Sequence, residues 1–591
     1  MSKVGRKHRG ALPTELWAII ASYLPREELC RLITVNRALY ALAVDAKYAV
    51  VEFGDPDPWK FVKKAERLRD PSNAQRTRTL IIHPEAVREA VEQVQSSQRN
   101  ISTPSPTAIL PPQSKSRFMP AFVHSRVSRR RPTFEVSYET RVVDGPTQDL
   151  PPAQRKELYV HALGMMFNVT NLEIHFRRPV PQPQAWGDID MPLHGQSPRP
   201  YPLAEVMDMW KLLPLWNLRD IALSMDALMF IKLFVGDTLK GLKSLRSLNL
   251  QLHLSSIRDR ETIVSIGYME QLVLVINSTR DSLEELRFTA WGHYGDLSPI
   301  LNCIHLPNLR WLSLRLPFDS RHIEDTTSLT TFLGRHPLLT HLMFRGVVCY
   351  DTYHPYLGHE VHLTWLSQCF KVLDRDGEFM KFPGITSLHI GFRSLYGWIG
   401  QVGHNPHPNQ ATLGSLLVDV FPNVTDITLS AVAFRFEDLK EILGSFANWG
   451  LKRLELFAEK LTPELVLLFA GRCPQLRCLV LHVDVIFSAE PEGRMRIRPL
   501  DTMQLVGIQK FVDSMKIFQV DNQPRPGEVT LLRQWCLEDL SIVYVAGDLG
   551  RSYCWEAMQA IAGCIPAVKS FAEQGSLRVD TGLSPEEIPL C

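Results

Sequence analysis

One hydrophobic pattern recurs along most of the chain: an apolar residue, two variable residues, an apolar residue, one variable residue and a final apolar residue. The alternation at the end of each copy predicts a short strand with one buried face. Neighbouring copies lie as close as 25 residues (451 to 476), which is typical of a repeat protein. The eleven copies are VTNLEI (169), LRDIAL (218), LRSLNL (245), LEELRF (283), LRWLSL (309), LTHLMF (339), ITSLHI (385), VTDITL (424), LKRLEL (451), LRCLVL (476) and LEDLSI (537).

The segments between these copies carry helix signals. In TPELVLLFAGRC, Thr462 is placed to cap a helix and Pro463 suits its first position. FEDLKEILGSF and TSLTTFLGRH follow a similar pattern. A short strand and a helix that alternate every 25 to 30 residues predict an α/β solenoid. Its parallel strands would stack on the inner side and its helices on the outer side.

A separate helical pattern precedes the repeats, in LPTELWAIIASYLPREELCRLITVNRALYALAVD at residues 12 to 45. Apolar residues recur at spacings of three and four, which predicts a first helix that ends at Pro25 and a second helix after it. Two helices this short cannot bury all their apolar residues against each other. The remaining apolar surface therefore predicts a binding partner.

Composition sets the boundaries between the predicted segments. SSQRNISTPSPTAILPPQSKS and SRVSRRRP are rich in Ser, Pro, Gln and Arg, and such segments bury too little apolar surface to fold. FVKKAERL reads as a helix and RTLIIHP as a strand. The predicted division is a disordered basic N-terminus (1–10), the helical pair (11–54), a connecting helix and first strand (55–95), a disordered loop (96–155) and the solenoid (156–591), with a Pro-rich loop at 177–202.

Charge and cysteine content narrow the function classes. The net charge of +2 over 591 residues does not favour nucleic-acid binding. No apolar run approaches the roughly 20 residues that span a bilayer, so no membrane association is expected. The ten cysteines are scattered and form no Cys-x-x-Cys pair, which favours reduced thiols in the cytoplasm, the nucleus or both.

Both patterns resemble known families. The repeats resemble leucine-rich repeats of the longer, helix-containing kind, although the position usually held by Asn or Cys carries other residues here. Residues 12 to 45 resemble an F-box, with Asn36 where that family often has cysteine. The matching F-box features are Leu12-Pro13, Glu15, Ile19, Leu24, Leu29, Leu32, Val35 and Arg37-Ala38-Leu39-Tyr40.

This resemblance implies a non-catalytic subunit of an SCF-type ubiquitin ligase. The F-box would dock on a Skp-type adaptor, which hangs from a cullin that carries a RING subunit. The repeats would hold a protein substrate near the ubiquitin-conjugating enzyme, which is catalysis by proximity. The residues expected to contact the adaptor are Leu12, Pro13, Leu16, Ile19, Ile20, Leu24, Leu29, Leu32, Val35 and Leu39.

Two other function classes remain open on the sequence. The chain could be an interaction scaffold whose F-box binds the adaptor but delivers no substrate for ubiquitylation. An enzyme is the third hypothesis, and the motifs do not favour it. His354, His359 and His362 lack the spacing of a zinc-binding helix, and the glycines of GWIGQVG lack that of a dinucleotide loop. Neither a metal nor a cofactor is expected.

The inner face of the predicted sheet carries a candidate substrate site. Arg287, Arg315 and Arg345 lie on consecutive repeats, and Trp311 and His341 precede the last two. Stacked strands lie about 4.8 Å apart, so these side chains would form one basic patch flanked by aromatic rings. Such a patch suits an acidic or phosphorylated segment. Arginines scattered along a solvated face are the competing interpretation.

Overall fold

The computed structural model describes most of the predicted elements and leaves several of the predicted loops outside its range. Several predicted segments lie outside the described residues: the basic N-terminus, almost all of the 96–155 segment, the Pro-rich loop, and the histidine and glycine motifs. The described residues are 12–32, 35, 37–92, 150–176, 209–212, 216–234, 242–253, 267–291, 296–318, 320, 322–346, 365–366, 368–370, 380–392, 410–447, 449–486, 500–519, 531–546 and 550–571.

The N-terminal pattern forms three helices rather than two: α1 (Thr14–Ser22), α2 (Arg26–Arg31) and α3 (Arg37–Ala49). Pro13 and Pro25 stand immediately before α1 and α2, where a missing backbone N–H costs no helical hydrogen bond. The predicted second helix is divided between α2, which ends at Arg31, and α3, which begins at Arg37. A small core of Ala21, Leu29, Leu39 and Ala43 holds the three helices together.

After these helices, the described residues are built on one sheet of fifteen strands, and β1 to β14 are neighbours in the order of the sequence. All described strand pairs are parallel except the pair of β13 and β14, which is antiparallel. The predicted parallel solenoid is confirmed, and its eleven repeat copies form β3 to β13. The strands are β1 Val50–Phe53, β2 Thr79–Ile82, β3 Asn171–His175, β4 Asp220–Asp226, β5 Ser247–His253, β6 Glu285–Trp291, β7 Trp311–Leu316, β8 His341–Gly346, β9 Ser387–Phe392, β10 Asp426–Phe434, β11 Arg453–Leu461, β12 Cys478–Ile486, β13 Asp539–Ala546, β14 Gly550–Tyr553 and β15 Ser570–Phe571.

Helices between the strands form the second layer, and the leucines of the repeats fill the space between the layers in one continuous core. Thr462 caps its helix by accepting a hydrogen bond from the Leu465 N–H, as its place before Pro463 predicted. The helices are α4 Pro58–Leu68, α5 Pro71–Ala74, α6 Pro84–Glu92, α7 Pro152–Gly164, α8 Ala227–Leu233, α9 Tyr268–Asn277, α10 Ser298–Cys303, α11 Thr327–Gly334, α12 Gln410–Val420, α13 Phe436–Phe446, α14 Pro463–Arg472, α15 Leu500–Gln519 and α16 Trp555–Ala562.

The sheet begins earlier than the composition predicted. β1 pairs with β2, and β2 pairs with β3, so the solenoid starts at Val50 and not at residue 156. The segments drawn at 11–54 and 55–95 therefore both contribute strands to the solenoid, and α7 starts inside the segment drawn at 96–155. A strand of four residues with only Val51 and Phe53 buried is too short to show the repeat pattern in the sequence.

Alternation along each strand separates the buried face of the sheet from the opposite one, which we call the inner face. In β7, Leu312, Leu314 and Leu316 point into the core. Trp311 and Arg315 lie on the inner face and are half-buried, as strand geometry requires of alternating residues. The strand register aligns equivalent positions of successive repeats, so inner-face residues form rows that cross the sheet.

Buried polar side chains tie neighbouring repeats together. His336 accepts a hydrogen bond from the Leu306 N–H through Nε2 (3.0 Å) and donates through Nδ1 to the Phe332 carbonyl (2.6 Å). The bond accepted at Nε2 requires the neutral ring. Burial lowers the pKa of His336 to about 4. Trp449 and Trp535 likewise donate their indole N–H groups to carbonyls of the preceding repeat, each at 2.9 Å.

Burial of His336 in its neutral form predicts that the free energy of unfolding decreases at acidic pH. The pKa of His336 is lower in the folded chain than the ordinary value of about 6.5, so the unfolded chain binds the proton first. The contribution of neutral His336 to stability is complete above about pH 6.5 and is lost as the pH falls toward 4. We expect the free energy of unfolding to fall by about 1–3 kcal/mol over this range on account of His336. Urea denaturation at a series of pH values measures it.

The variant His336→Gln keeps a donor and an acceptor but cannot take up a proton in this range. It should flatten the pH dependence of the unfolding free energy. His161→Gln, at an exposed position on α7, is the matched control and should keep the wild-type slope. An unchanged slope in His336→Gln would contradict the assignment.

Candidate functional site

Exposed apolar side chains are concentrated on the N-terminal helices. Seven of the seventeen large apolar residues that are exposed in the described part of the chain lie between residues 12 and 40, which is where a partner would find most apolar surface. The exposed fraction is 54% for Ile19 and 83% for Tyr23. We call these seven residues the apolar face; they are Leu12, Leu16, Ile19, Ile20, Tyr23, Val35 and Tyr40.

The residues predicted to contact an adaptor divide between this surface and the interior. Leu29 and Leu39 are buried in the core of the three helices, and Leu24 and Leu32 are half-buried against that core. In these positions they shape the helices that carry the apolar face. The remaining predicted residues, including Pro13, are exposed, and their contact with an adaptor stays a prediction.

Tyr23 and Tyr40 were missing from the predicted contact residues. Tyr23 lies three and four positions after Ile20 and Ile19, so the helical spacing of α1 was the signal that could have included it. Tyr40 adjoins Leu39 on α3, but only the burial of Leu39 shows that the two side chains point in different directions.

The apolar face is joined to the solenoid without a linker. α3 ends at Ala49 and β1 begins at the next residue. The Arg26 guanidinium donates to the Lys47 carbonyl (3.0 Å) and to the Val50 carbonyl (3.4 Å), across this junction. Asp45 on α3 forms an ion pair with Arg76, which lies just after α5. These contacts fix the orientation of the three helices relative to the sheet.

The predicted inner-face patch comes together in two parts. The rings of Trp311 and His341 stack in register on β7 and β8, with centroids 4.8 Å apart and an interplanar angle of 6°. The Arg287 guanidinium lies 5.6 Å from the centre of the Trp311 ring, and its Nε donates to the Glu285 carboxylate. These side chains form an aromatic platform near the start of the strands.

Arg315 and Arg345 form the second part. They are in register on β7 and β8, four residues beyond Trp311 and His341. Arg287 is in register with Ser313 instead, so the three arginines do not converge on one point. At about 3.3 Å per residue, the arginine pair lies about 13 Å from the aromatic platform.

The space beside Arg345 depends on a glycine. Gly391 is the partner of Arg345 on β9, and a Cβ there would collide with Ser430 Oγ and lie 3.3 Å from Arg345 Cγ. His389 and Ser430 share a hydrogen bond of 2.8 Å next to it. Burial, together with the charge of Arg345, lowers the pKa of His389 to about 3, so this ring is neutral near pH 7. The sequence patterns did not indicate this contribution.

The inner face is closed toward the C-terminal strands. Glu455 and His482, on β11 and β12, are 3% and 1% exposed and form a pair at 3.3 Å. The His482 ring stacks on Phe457 with centroids 4.4 Å apart. The described inner-face side chains of β3 to β8 are half-buried, except for the buried Asp226, so solvent reaches this part of the face.

Metal clusters, membrane-spanning helices and reactive thiols are the other features that bear on function in the described residues. Across the ranges given above, no group of three or more His, Cys, Asp or Glu side chains could hold a metal ion. Nor does any helix in those ranges have the length and hydropathy to cross a membrane. Burial raises the pKa of the Cys473 thiol to about 12, which disfavours a reactive thiolate there.

Comparison with known proteins identifies the N-terminal helices. Residues 10–48 match the family model described as F-box-like. Comparison with the curated proteins found no match. Among solved structures, the chain is similar to the leucine-rich repeat-containing protein LegL7 from Legionella pneumophila, at 14% identity and a TM-score of 0.31, over 55% of this chain and 87% of that one.

The nature of the repeats follows from the chain's own geometry. Eleven leucine-rich copies form consecutive parallel strands in register, with helices on one face. A strand and a helix per repeat is the architecture of leucine-rich repeats of the helix-containing kind. The chain thus carries an F-box-like match at residues 10–48, followed by a parallel solenoid with the architecture of leucine-rich repeats.

Proposed function

We propose that the chain is the non-catalytic substrate-recognition subunit of an SCF-type E3 ubiquitin ligase. The apolar face docks on a Skp-type adaptor and, through it, on cullin and RING subunits, and the inner face binds a protein substrate. The observation that carries the proposal is the concentration of exposed apolar side chains on an F-box-like domain that is joined without a linker to the solenoid. Such a subunit acts in the cytoplasm, the nucleus or both.

The apolar face has the chemistry of a protein-docking surface. Leu16, Ile19 and Ile20 are exposed on α1, and full burial of such a side chain contributes about 1.5–3 kcal/mol. Tyr23 and Tyr40 add aromatic side chains, which are enriched among the residues that dominate binding at interfaces. A few such residues suffice for a specific complex.

The junction between α3 and β1 supports the proximity mechanism. A substrate on the inner face is held at a fixed distance and angle from the adaptor, because the Arg26 and Asp45 contacts prevent free rotation at Ala49. Holding a lysine of the substrate near the ubiquitin thioester raises its effective concentration. No catalytic group on this chain is required for that effect.

The first test removes exposed side chains from α1. We expect Leu16→Ala with Ile19→Ala to weaken binding of a purified Skp-type adaptor at least about 30-fold, because truncated interface anchors cost about 1–2 kcal/mol or more each. The matched control is Val506→Ala with Ile517→Ala on α15, where the two residues are 54% and 57% exposed. Isothermal titration calorimetry measures both. Equal adaptor affinity in the two double variants would contradict the proposal.

The second test compares a substitution in the core of the N-terminal helices with the substitutions on their surface. Leu39 is 2% exposed in a core with only four buried residues, so Leu39→Ala should unfold the three N-terminal helices at a cost of about 2–5 kcal/mol. Limited proteolysis followed by mass spectrometry should then show cleavage between residues 12 and 49. The Leu16→Ala, Ile19→Ala variant should resist cleavage like the wild type, since both positions are exposed.

The third test distinguishes a ligase subunit from a scaffold. In cells, the abundance of proteins captured by the chain should rise when the proteasome or cullin neddylation is inhibited. The Leu16→Ala, Ile19→Ala variant should capture the same proteins without that rise, because it lacks the adaptor. Partner abundance that does not respond to either inhibitor would favour the interaction scaffold.

A further inference from the structure

We propose that the inner face of β6 to β8 binds an extended acidic or phosphorylated protein segment that carries a planar or apolar side chain about four residues from its anionic group. This proposal rests on the proposed function and names the class of substrate segment. Its anionic group lies between Arg315 and Arg345, and its planar or apolar side chain lies on the platform formed by Trp311, His341 and Arg287.

The arginine pair supplies the anion-binding end. Arg315 and Arg345 are in register on adjacent strands, which lie about 4.8 Å apart in a sheet. In the proposed complex, a carboxylate or phosphate accepts hydrogen bonds from both guanidinium groups at once. Guanidinium forks match the oxygens of both anions in bidentate geometry, which a single ammonium group cannot do.

Gly391 leaves room for the stem of one of the two arginines. The stem of Arg345 lies against Gly391, and a side chain at that position would press on the Cγ atom of Arg345 at 3.3 Å. On the far side, His389 is buried and neutral near pH 7, so it brings no further charge to the site. In the proposed complex, the arginine pair supplies the cationic charge at this end.

The aromatic platform supplies the second contact. The stacked rings of Trp311 and His341 offer a flat surface on the inner face, away from the core, and both rings are half-buried. Arg287 lies against the Trp311 ring and is held by Glu285, so the platform is organised without a ligand. Such a preformed surface loses little conformational entropy of its own when a planar or apolar side chain binds to it.

The distance between the two ends sets the spacing in the ligand. Four strand residues separate Trp311 from Arg315, which is about 13 Å. Ser313 and Met343 lie between them in the middle row, where Ser313 Oγ is 3.2 Å from Met343 Sδ. Since an extended peptide also advances about 3.3 Å per residue, its anionic and planar side chains would be about four positions apart.

Position along the solenoid favours this part of the face. The row that contains the arginine pair carries arginine only on β7 and β8. From β3 to β10 its residues are His175, Ser224, Gln251, Thr289, Arg315, Arg345, Gly391 and Ser430. The register shifts within β10, so that Ala433 pairs with Phe457, and the row continues on β11 to β13 with Phe457, His482 and Val543.

The equivalent positions on β11 and β12 cannot serve, because Phe457 and His482 are buried. On β6 to β8 the inner face thus places an arginine pair beside an aromatic platform.

The test uses short labelled peptides and the full chain bound to its purified adaptor. The probes are fluorescein-Gly-Xaa-Ala-Ala-Ala-Trp-Gly and the reverse order fluorescein-Gly-Trp-Ala-Ala-Ala-Xaa-Gly, where Xaa is phosphoserine, glutamate or glutamine. Fluorescence anisotropy gives the dissociation constants at two salt concentrations. In at least one order, the phosphoserine and glutamate peptides should bind at least 10-fold more tightly than the glutamine peptide. Their affinity should fall as salt rises.

Amino-acid substitutions on the inner face test where the anionic peptides bind. Arg315→Gln with Arg345→Gln should weaken binding of the anionic peptides at least 10-fold, and Trp311→Ala should weaken it about 5-fold. The control is Arg246→Gln with Arg310→Gln, which removes the same charge from exposed positions that precede β5 and β7. That control should bind like the wild type. The phosphoserine and glutamate peptides distinguish phosphate from carboxylate as the preferred anion.

Two results would overturn the proposal. Anionic peptides that bind no more tightly than the glutamine peptide would exclude an anion site on this face. Equal losses in the Arg315, Arg345 pair and in the Arg246, Arg310 control would show an effect of overall charge. Adaptor binding distinguishes a failure of this proposal from a failure of the proposed function. The Arg315→Gln, Arg345→Gln variant should keep adaptor binding. The Leu16→Ala, Ile19→Ala variant should lose adaptor binding and still bind the peptides when assayed without adaptor.

Discussion

The burial of leucine rows between the sheet and the helix layer is the constraint on which the rest of the structure depends. Every repeat places apolar residues such as Leu312 and Leu314 in one continuous core, and no single repeat could bury them alone. A shift of one residue in register would turn these side chains to the opposite face. The core therefore fixes the register, and the register decides which polar residues of neighbouring repeats stand side by side on the inner face.

The same constraint explains how the two ends of the molecule are connected. β1 joins the sheet through two buried residues, Val51 and Phe53, and α3 runs into it directly. Tyr48, near the end of α3, packs against the solenoid core, although the three N-terminal helices have a separate core of their own. The apolar face is thus carried by a small domain whose orientation is set by the much larger one.

Much of this architecture could be predicted from the sequence because the same pattern recurs, although a single short apolar run does not distinguish a strand from a helix. Each copy alone is a short apolar run, but eleven copies at related spacings leave a parallel solenoid as the consistent solution. β1 was missed because its pattern has only two buried residues, and the break between α2 and α3 was missed because the apolar spacing continues across it. Both depend on tertiary context that a short pattern does not contain.

The candidate site was predictable in its residues but not in its arrangement. Aligned copies already place Arg287 in one row and Arg315 with Arg345 in the next, and the strand register agrees. The direction of a side chain depends on its neighbours, such as Glu285 for Arg287. The alignment therefore could not show that Arg287 lies against Trp311. The exposure of single side chains could not be predicted either. Leu39 and Tyr40 are adjacent in sequence, yet only Leu39 is buried.

Hydrogen–deuterium exchange on the full chain, with and without a purified Skp-type adaptor, tests the central claim most directly. If the apolar face is the docking surface, the adaptor should slow exchange of backbone amides in α1 and in the first turn of α3, around Tyr40. Amides of β6 to β8 should exchange at the same rate in both samples. Unchanged exchange in α1, or slower exchange confined to the solenoid, would contradict the account.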